Sequence, residues 1–160
     1  MQSFEDNWIK TNSSFPDEIV NTNELSLYIN SGTDTFVEGP DMPNRGKAVF
    51  AWKNHPNWTS FIPGSEWIWD SYKITDPLID QTCCFTHEFE IPGYPIDGTL
   101  VISVDNIGEA FFNQRKVYEN FDSTWKKAKE IKITELLCPG PNHFRAVVTN
   151  RGQKRRKLSN

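Results

Sequence analysis

Recognisable catalytic motifs are missing from this sequence. No Gly-x-Ser-x-Gly elbow, no phosphate-cradling glycine loop and no His-Glu-x-x-His pair occurs in its 160 residues. A serine hydrolase, a P-loop enzyme and a zincin therefore have no sequence support. Histidine is scarce, and His55, His87 and His143 lie in three separate segments. Carboxylates are plentiful, but a glycosidase needs two of them facing across a cleft at a set separation, which a linear pattern does not specify. We expect no catalysis and no cofactor. Long apolar runs are also absent. Nothing approaches the roughly 18 residues of a membrane-spanning helix, so membrane insertion is not expected. The opening stretch "MQSFEDNWIK" is acidic and polar, unlike a secretory leader, and by itself points to the cytoplasm.

Cysteine is both scarce and odd in number: Cys83, Cys84 and Cys138. Zinc sites prefer cysteines two to four residues apart, and an adjacent pair has the wrong spacing. No metal site can be assigned from the sequence. An odd count cannot be closed by internal disulfides alone. Neighbouring residues on a strand point to opposite faces, so a Cys83–Cys84 bridge would need a distorted peptide. The simple reading is a set of free thiols.

Basic residues are in short supply outside one segment. Residues 151–160, "RGQKRRKLSN", hold five Lys or Arg and no acid; the remaining chain holds twelve basic against twenty-one acidic residues, a net of −9. An acidic body repels phosphates, so nucleic acid is not an expected partner. A basic tail is commonly a solvated end or a localisation signal. The sharper expectation is that Arg151, Lys154, Arg155, Arg156 and Lys157 dock on the acidic body of a neighbour.

What the chain has in quantity is aromatic side chains and turn formers: 11 Phe, 6 Trp, 4 Tyr, 10 Pro and 9 Gly. Such a composition favours short strands joined by turns, and the length suits one domain. Residues 1–24 lack periodicity and read as an irregular arm. "LSLYI", Leu25–Ile29, is the first strand candidate. "TDTFVEG" and "KAVFAW" follow as strands around a turn-rich "PDMPNRG". "NHPNWTSFIPG" reads as a loop, and "SEWIWDSYKITDP" opens with a short aromatic strand.

The clearest strand is Thr82–Ile91. Phe85, His87, Phe89 and Ile91 share one parity; Cys84, Thr86, Glu88 and Glu90 share the other. Alternation puts the first set, with Cys83, toward the core and the second outward. On "TLVISVDN", Leu100, Ile102 and Val104 fall on one face. "GEAFFNQRKVYENF" reads as a hairpin turning near Asn113, Gln114 and Arg115. "STWKKAKEIKITELL" begins ambiguously, as a helical turn or a strand, and "NHFRAVVTN" closes the domain. Strands recurring without long intervening helices imply an all-β sandwich or jelly roll. The organisation expected is an arm at 1–24, one sandwich domain at 25–150 and a basic tail at 151–160.

From Trp67 to about residue 152 the order of signals resembles the galactose-binding-like β-sandwiches that accompany many glycosidases. Asp105-Asn106 ends a strand, Asn113 opens a hairpin turn, and Pro139-Gly140-Pro141-Asn142 precedes a strand ending in Asn150. This pattern is largely turn chemistry, in which Asn and Asp bond nearby backbone groups. Two departures stand out: Gln114 replaces the usual Gly, and the basic tail arrives where a further apolar strand is common. The stand-alone form, the vicinal cysteines and the acidic body together resemble the octins, crystal-forming proteins of zygomycete fungi. That resemblance implies a structural protein that assembles with itself in vacuolar sedimenting crystals used in gravity sensing, and a vacuolar location.

Self-assembly gives the thiols a role. Cys84, with outward parity, and Cys138, beside a Pro-Gly turn, are the candidates for intermolecular disulfides; Cys83, with core parity, is the weaker one. The alternative is a carbohydrate-binding module, which is what the fold resemblance implies. Trp52, Trp58, Trp67, Trp69 and Trp125 then form a candidate stacking platform, with Trp58 in its proline-rich loop the best exposed sugar-binding residue. A structural calcium is common in such sandwiches, but no residues here point to its position.

Overall fold

The computed structural model describes residues 25–51, 58–72, 80–121 and 125–151. The 1–24 arm, Trp52 and the tail cations Lys154, Arg155, Arg156 and Lys157 lie outside them. Among the described residues the regular structure is ten strands and one short 3₁₀ turn, Thr134–Leu136. A six-stranded sheet dominates. Its antiparallel strands, in spatial order, are β2 (Met42–Lys47), β1 (Phe36–Gly39), β5 (Gln81–Ile91), β10 (Gly140–Asn150), β7 (Ile107–Phe112) and β8 (Arg115–Asn120). Two smaller sheets pair β3 (Val49–Phe50) with β4 (Ile68–Trp69), and β6 (Thr99–Ile102) with β9 (Lys129–Lys132).

The parity of β5 decides where the core lies. Gln81, Cys83 and Phe85 are buried while Thr82 and Glu88 are exposed. Phe85 sits beside Val37 on β1 and Ala146 on β10, and Ala146 sits beside Ala110 on β7. These residues join Trp69, Ile102 and Val104 in one buried cluster with Ala48. Trp69 lies 5.9 Å from Phe85, ring centre to ring centre, so the short β4 strand caps the middle of the large sheet. Each Val, Ile or Phe side chain withdrawn from water here stabilises the fold by about 1.5–3 kcal/mol. The protein is an all-β sandwich, as its sequence led us to expect.

Two segments depart from expectation. Leu25–Ile29 forms no strand and pairs with none among the described residues; Leu25, Leu27 and Tyr28 stay exposed. "PDMPNRG", read as a turn, is largely strand β2. Only its start, at Pro40 and Asp41, turns the chain. Pro43 is accommodated because β2 is the edge strand, where a missing N–H removes no ladder bond. "KAVFAW" is not one strand either. The chain leaves the large sheet after Lys47, buries Ala48, and enters the β3–β4 pair.

The hairpin between β7 and β8 turns where expected. Asn113 and Gln114 have φ of 46° and 70°, the left-handed pair that a two-residue type I′ turn requires. Asn tolerates that region, and Gln114 occupies a position better suited to Gly.

Candidate functional site

The fold separates the three thiols. Cys83 lies on the core face of β5, fully buried, and burial with the nearby Asp70 carboxylate pushes its thiol far above the ordinary cysteine range. It stays protonated and packs as a small hydrophobe. Cys84 faces outward on the same strand, half-buried between Glu38 of β1 and Val147 of β10. Cys138 is exposed in the turn before β10. Its S–H lies 3.4 Å from the Pro141 carbonyl and 3.5 Å from Asn142 Oδ1. All three are free; Cys83 is buried and Cys138 exposed as expected, while Cys84, expected to be exposed, is only partly so.

A polar knot surrounds Cys83. Asp70, 2% exposed, accepts the Asp41 backbone N–H at 2.9 Å and both oxygens lie 3.3 Å from Gln81 Nε2. Ser71 Oγ donates to Asp41 Oδ2 at 3.0 Å. Gly39 is required here: a side chain at that position would collide with the Asp70 carboxylate and the Cys83 sulfur. The knot locks the β1–β2 turn onto β4 and β5, so its chemistry is structural.

The Asp-Asn and Pro-Gly-x-Asn signals prove to be staples. Asp105 Oδ2 accepts the Trp58 indole N–H at 2.8 Å. Asn106 Oδ1 accepts the Arg151 backbone N–H at 2.7 Å, fixing the point from which the basic tail departs. At the other end of the sheet, Asn113 Nδ2 donates to the Leu136 carbonyl at 2.7 Å and to Asn142 Oδ1 at 2.9 Å. Asn142, itself buried, donates to the Cys138 carbonyl at 2.7 Å. The same asparagines thus close the turn that presents the Cys138 thiol.

Trp58 is not the open platform that its loop suggested. It is half-buried, and its ring stacks on Trp67 at 4.3 Å with 24° between planes. Together with the Asp105 bond this brackets the 58–60 segment to the sandwich, helped by the Ser60 N–H donating to the Trp125 carbonyl. Trp69 is core, and Trp125 carries Lys126 above its ring at 4.8 Å. Among the described residues the tryptophans do not form a common exposed surface.

The structure adds a cleft that sequence reasoning missed. It is a solvent-open cleft of about 480 Å³ with His87 of β5 in its lining. Tyr28, Asp34, Phe50, Glu66 and His87 line it, with residues 29–33 and Gly64. Its walls are tied together: the Ser31 hydroxyl donates to the Glu66 carbonyl at 2.8 Å, and the Glu66 N–H donates to the Ser31 carbonyl at 3.0 Å. Gly64, at φ 77°, packs against Asn30. The only sequence signal was the lone His87 at core parity. Among the described residues no group of three or more His, Cys, Asp or Glu is placed to hold a metal ion. No described helix is long and apolar enough to cross a membrane.

Neither a protein-family model nor a curated protein matches the chain. Among solved structures it is similar to an FMN-binding β-glucuronidase from Facaelibacterium prausnitzii L2-6, with a TM-score of 0.48 and 14% identity over 84% of this chain and 19% of that one. It is also similar to a β-D-glucuronidase from Dictyoglomus thermophilum, with a TM-score of 0.46 and 12% identity over 78% and 21%. An α-L-rhamnosidase from Streptomyces avermitilis, complexed with L-rhamnose, gives 0.45 and 14% over 76% and 11%. The chain spans about a fifth or less of the length of each.

Proposed function

We propose that this protein is a non-enzymatic structural protein that assembles with itself, its copies joined by disulfides through Cys84 and Cys138. The octin resemblance extends the proposal to protein crystals that act as vacuolar sedimenting bodies in gravity sensing. The observation that carries the reading is the distribution of the thiols. One is sealed in the core, and two reach the surface at separate places, on the outer sheet face and in the 138–141 turn. A single surface thiol per molecule ends at a covalent dimer, whereas two can propagate a network or close a ring. Each bridge holds the linked copies at high effective concentration, which lowers the cost of every further contact. Oxidation requires a compartment or an oxidant that accepts two electrons per bridge.

Trp58 supports this reading over sugar binding, because one face of its ring is committed to Trp67 and its N–H to Asp105. Sedimentation of the purified protein with and without reductant tests the proposal. In 1 M salt, which screens ionic contacts between copies, species larger than the 18.5 kDa chain should form without reductant and dissociate with it. Cys84→Ser and Cys138→Ser should each limit assembly to dimers. Sedimentation as a monomer under both conditions contradicts the proposal.

A further inference from the structure

We propose that the disulfides join unlike thiols, Cys84 of one copy to Cys138 of the next. This deepens the self-assembly reading and rests on it. The two thiols of one molecule are too far apart to meet. On the paired β5 and β10 strands, Val147 lies beside Cys84 and Gly140 beside Ile91. Those two levels are about 23 Å apart at roughly 3.3 Å per residue. Cys138 precedes Gly140 by two residues, and even a chain folded straight back from there returns only about 7 Å. A disulfide needs its Cα atoms within about 7 Å. Cys83 is fully buried and takes no part. Every bridge from Cys84 or Cys138 therefore leads to another molecule.

Like pairing fails for Cys84. It sits on the third strand of the six-stranded sheet, half-buried between Glu38 and Val147. Two sheets laid face to face stand about 10 Å apart. Arg45 and Glu88, ion-paired at 3.6 Å and largely exposed, rise from the same face and keep a second sheet at such a spacing. Cα atoms that far apart are not bridged without moving the backbone. The partner thiol must arrive on a projecting turn, and Cys138 is exposed in one. Asn142 donates to the Cys138 and Gly140 carbonyls and accepts the Cys138 N–H at 3.1 Å, so the turn is held before contact. Cys138–Pro141 carries no charge, so seating it against the sheet buries none. Short side chains border the seat. Thr82 and Thr149 lie one pleat along from Cys84 and Val147, their hydroxyls 2.8 Å apart. The Arg145 guanidinium rests over Phe111 of β7 at 4.4 Å, away from β5. Each copy gives one turn and offers one sheet face, a heterologous contact that repeats from copy to copy.

A small disulfide such as oxidised glutathione is the oxidant. The Cys138 thiolate attacks one of its sulfurs, forming a mixed disulfide and releasing one small thiol. The Cys84 thiolate of the next copy attacks the Cys138 sulfur, and the second small thiol leaves. The two protein sulfurs lose two electrons, the small disulfide gains them, and the two S–H protons end on its thiols.

The test mixes equal amounts of two full-length variants, Cys84→Ser labelled with heavy nitrogen and unlabelled Cys138→Ser, in a buffer of oxidised and reduced glutathione. After an acid quench, which stops exchange, the covalent dimers are weighed by mass spectrometry. A turn seated on a sheet face adds contacts that a tip-to-tip bridge lacks, so mixed-mass dimers should outnumber both like-mass dimers together by at least roughly tenfold. Random pairing makes them equal. Oxidised wild type, digested with pepsin in acid, should yield a peptide pair joining Cys84 to Cys138. Mixed dimers no more numerous than like ones, or wild-type peptides joining Cys84 to Cys84 or Cys138 to Cys138, overturn the pairing and leave the self-assembly reading standing. If neither the mixture nor the wild type forms a covalent species, both fall.

Discussion

At the scale of single residues, environment assigns opposite roles to adjacent positions. Cys83 and Cys84 differ only in parity, yet one is sealed beside Asp70 and the other faces outward. The consequence for Cys83 has a definite sign. Its folded thiol is held above the ordinary value of 9.0, so the unfolded chain releases that proton first as pH rises. Stability is fully present below about pH 9 and falls above it, by about 1.4 kcal/mol per pH unit while only the unfolded thiol is ionised. Urea titrations from pH 8 to 10.5 should show this slope in wild type and lack it in Cys83→Ala, which also loses about 1 kcal/mol of packing. Equal slopes in the two proteins contradict the assignment. Trp58 makes a second test. Asp105→Ala removes the acceptor of a half-buried indole N–H and should cost about 1–3 kcal/mol. Under the carbohydrate alternative, loss of Trp58 removes sugar binding and leaves the fold intact. Here Trp58→Ala should lower the urea midpoint.

At the scale of elements, the β7–β8 hairpin is where sequence and backbone disagree most locally. Gln114 holds φ of 70°, which an L side chain adopts at a cost and Gly adopts freely. Gln114→Gly should therefore stabilise the fold by about 0.5–1 kcal/mol, and thermal melts would show it; an unchanged or lowered midpoint would mean that the side chain makes compensating contacts. Asn142→Ala should act in the opposite direction, costing about 2 kcal/mol, because it removes the donor to the Cys138 and Gly140 carbonyls and one acceptor of the Asn113 amide.

The elements also show what could be read in advance. β5 was legible because a strand buried on one face writes its environment as alternation, Cys83-Phe85 in and Thr82-Glu88 out. β2 was not, because an edge strand needs no apolar alternation, and its Pro, Asn and Arg look like a turn until β1 is beside it. Leu25–Ile29 misled for the converse reason: strand-like composition does not supply a partner edge. The Asn staples were visible as turn residues, but their partners across the fold were not. The cleft could not be read at all. It joins Tyr28, Phe50, Glu66 and His87, four positions that only the folded chain brings together. Trp58 was misjudged in the same way, since its exposure is set by Asp105, 47 residues away.

At the scale of the whole molecule, the sandwich keeps two surface thiols apart and concentrates opposite charge in two places, an acidic body and a basic tail. In the proposed assembly, electrostatic contacts would bring copies together; such contacts are weak one by one and fade as salt shortens the screening length to about 3 Å at 1 M. Disulfides through Cys84 and Cys138 would then make the proposed contact permanent. The most direct measurement is non-reducing electrophoresis of oxidised material whose remaining thiols are blocked before denaturation. The account predicts a ladder that collapses to 18.5 kDa with reductant, shortened to a dimer by either Cys84→Ser or Cys138→Ser and retained in Cys83→Ala. A single 18.5 kDa band without reductant would contradict it.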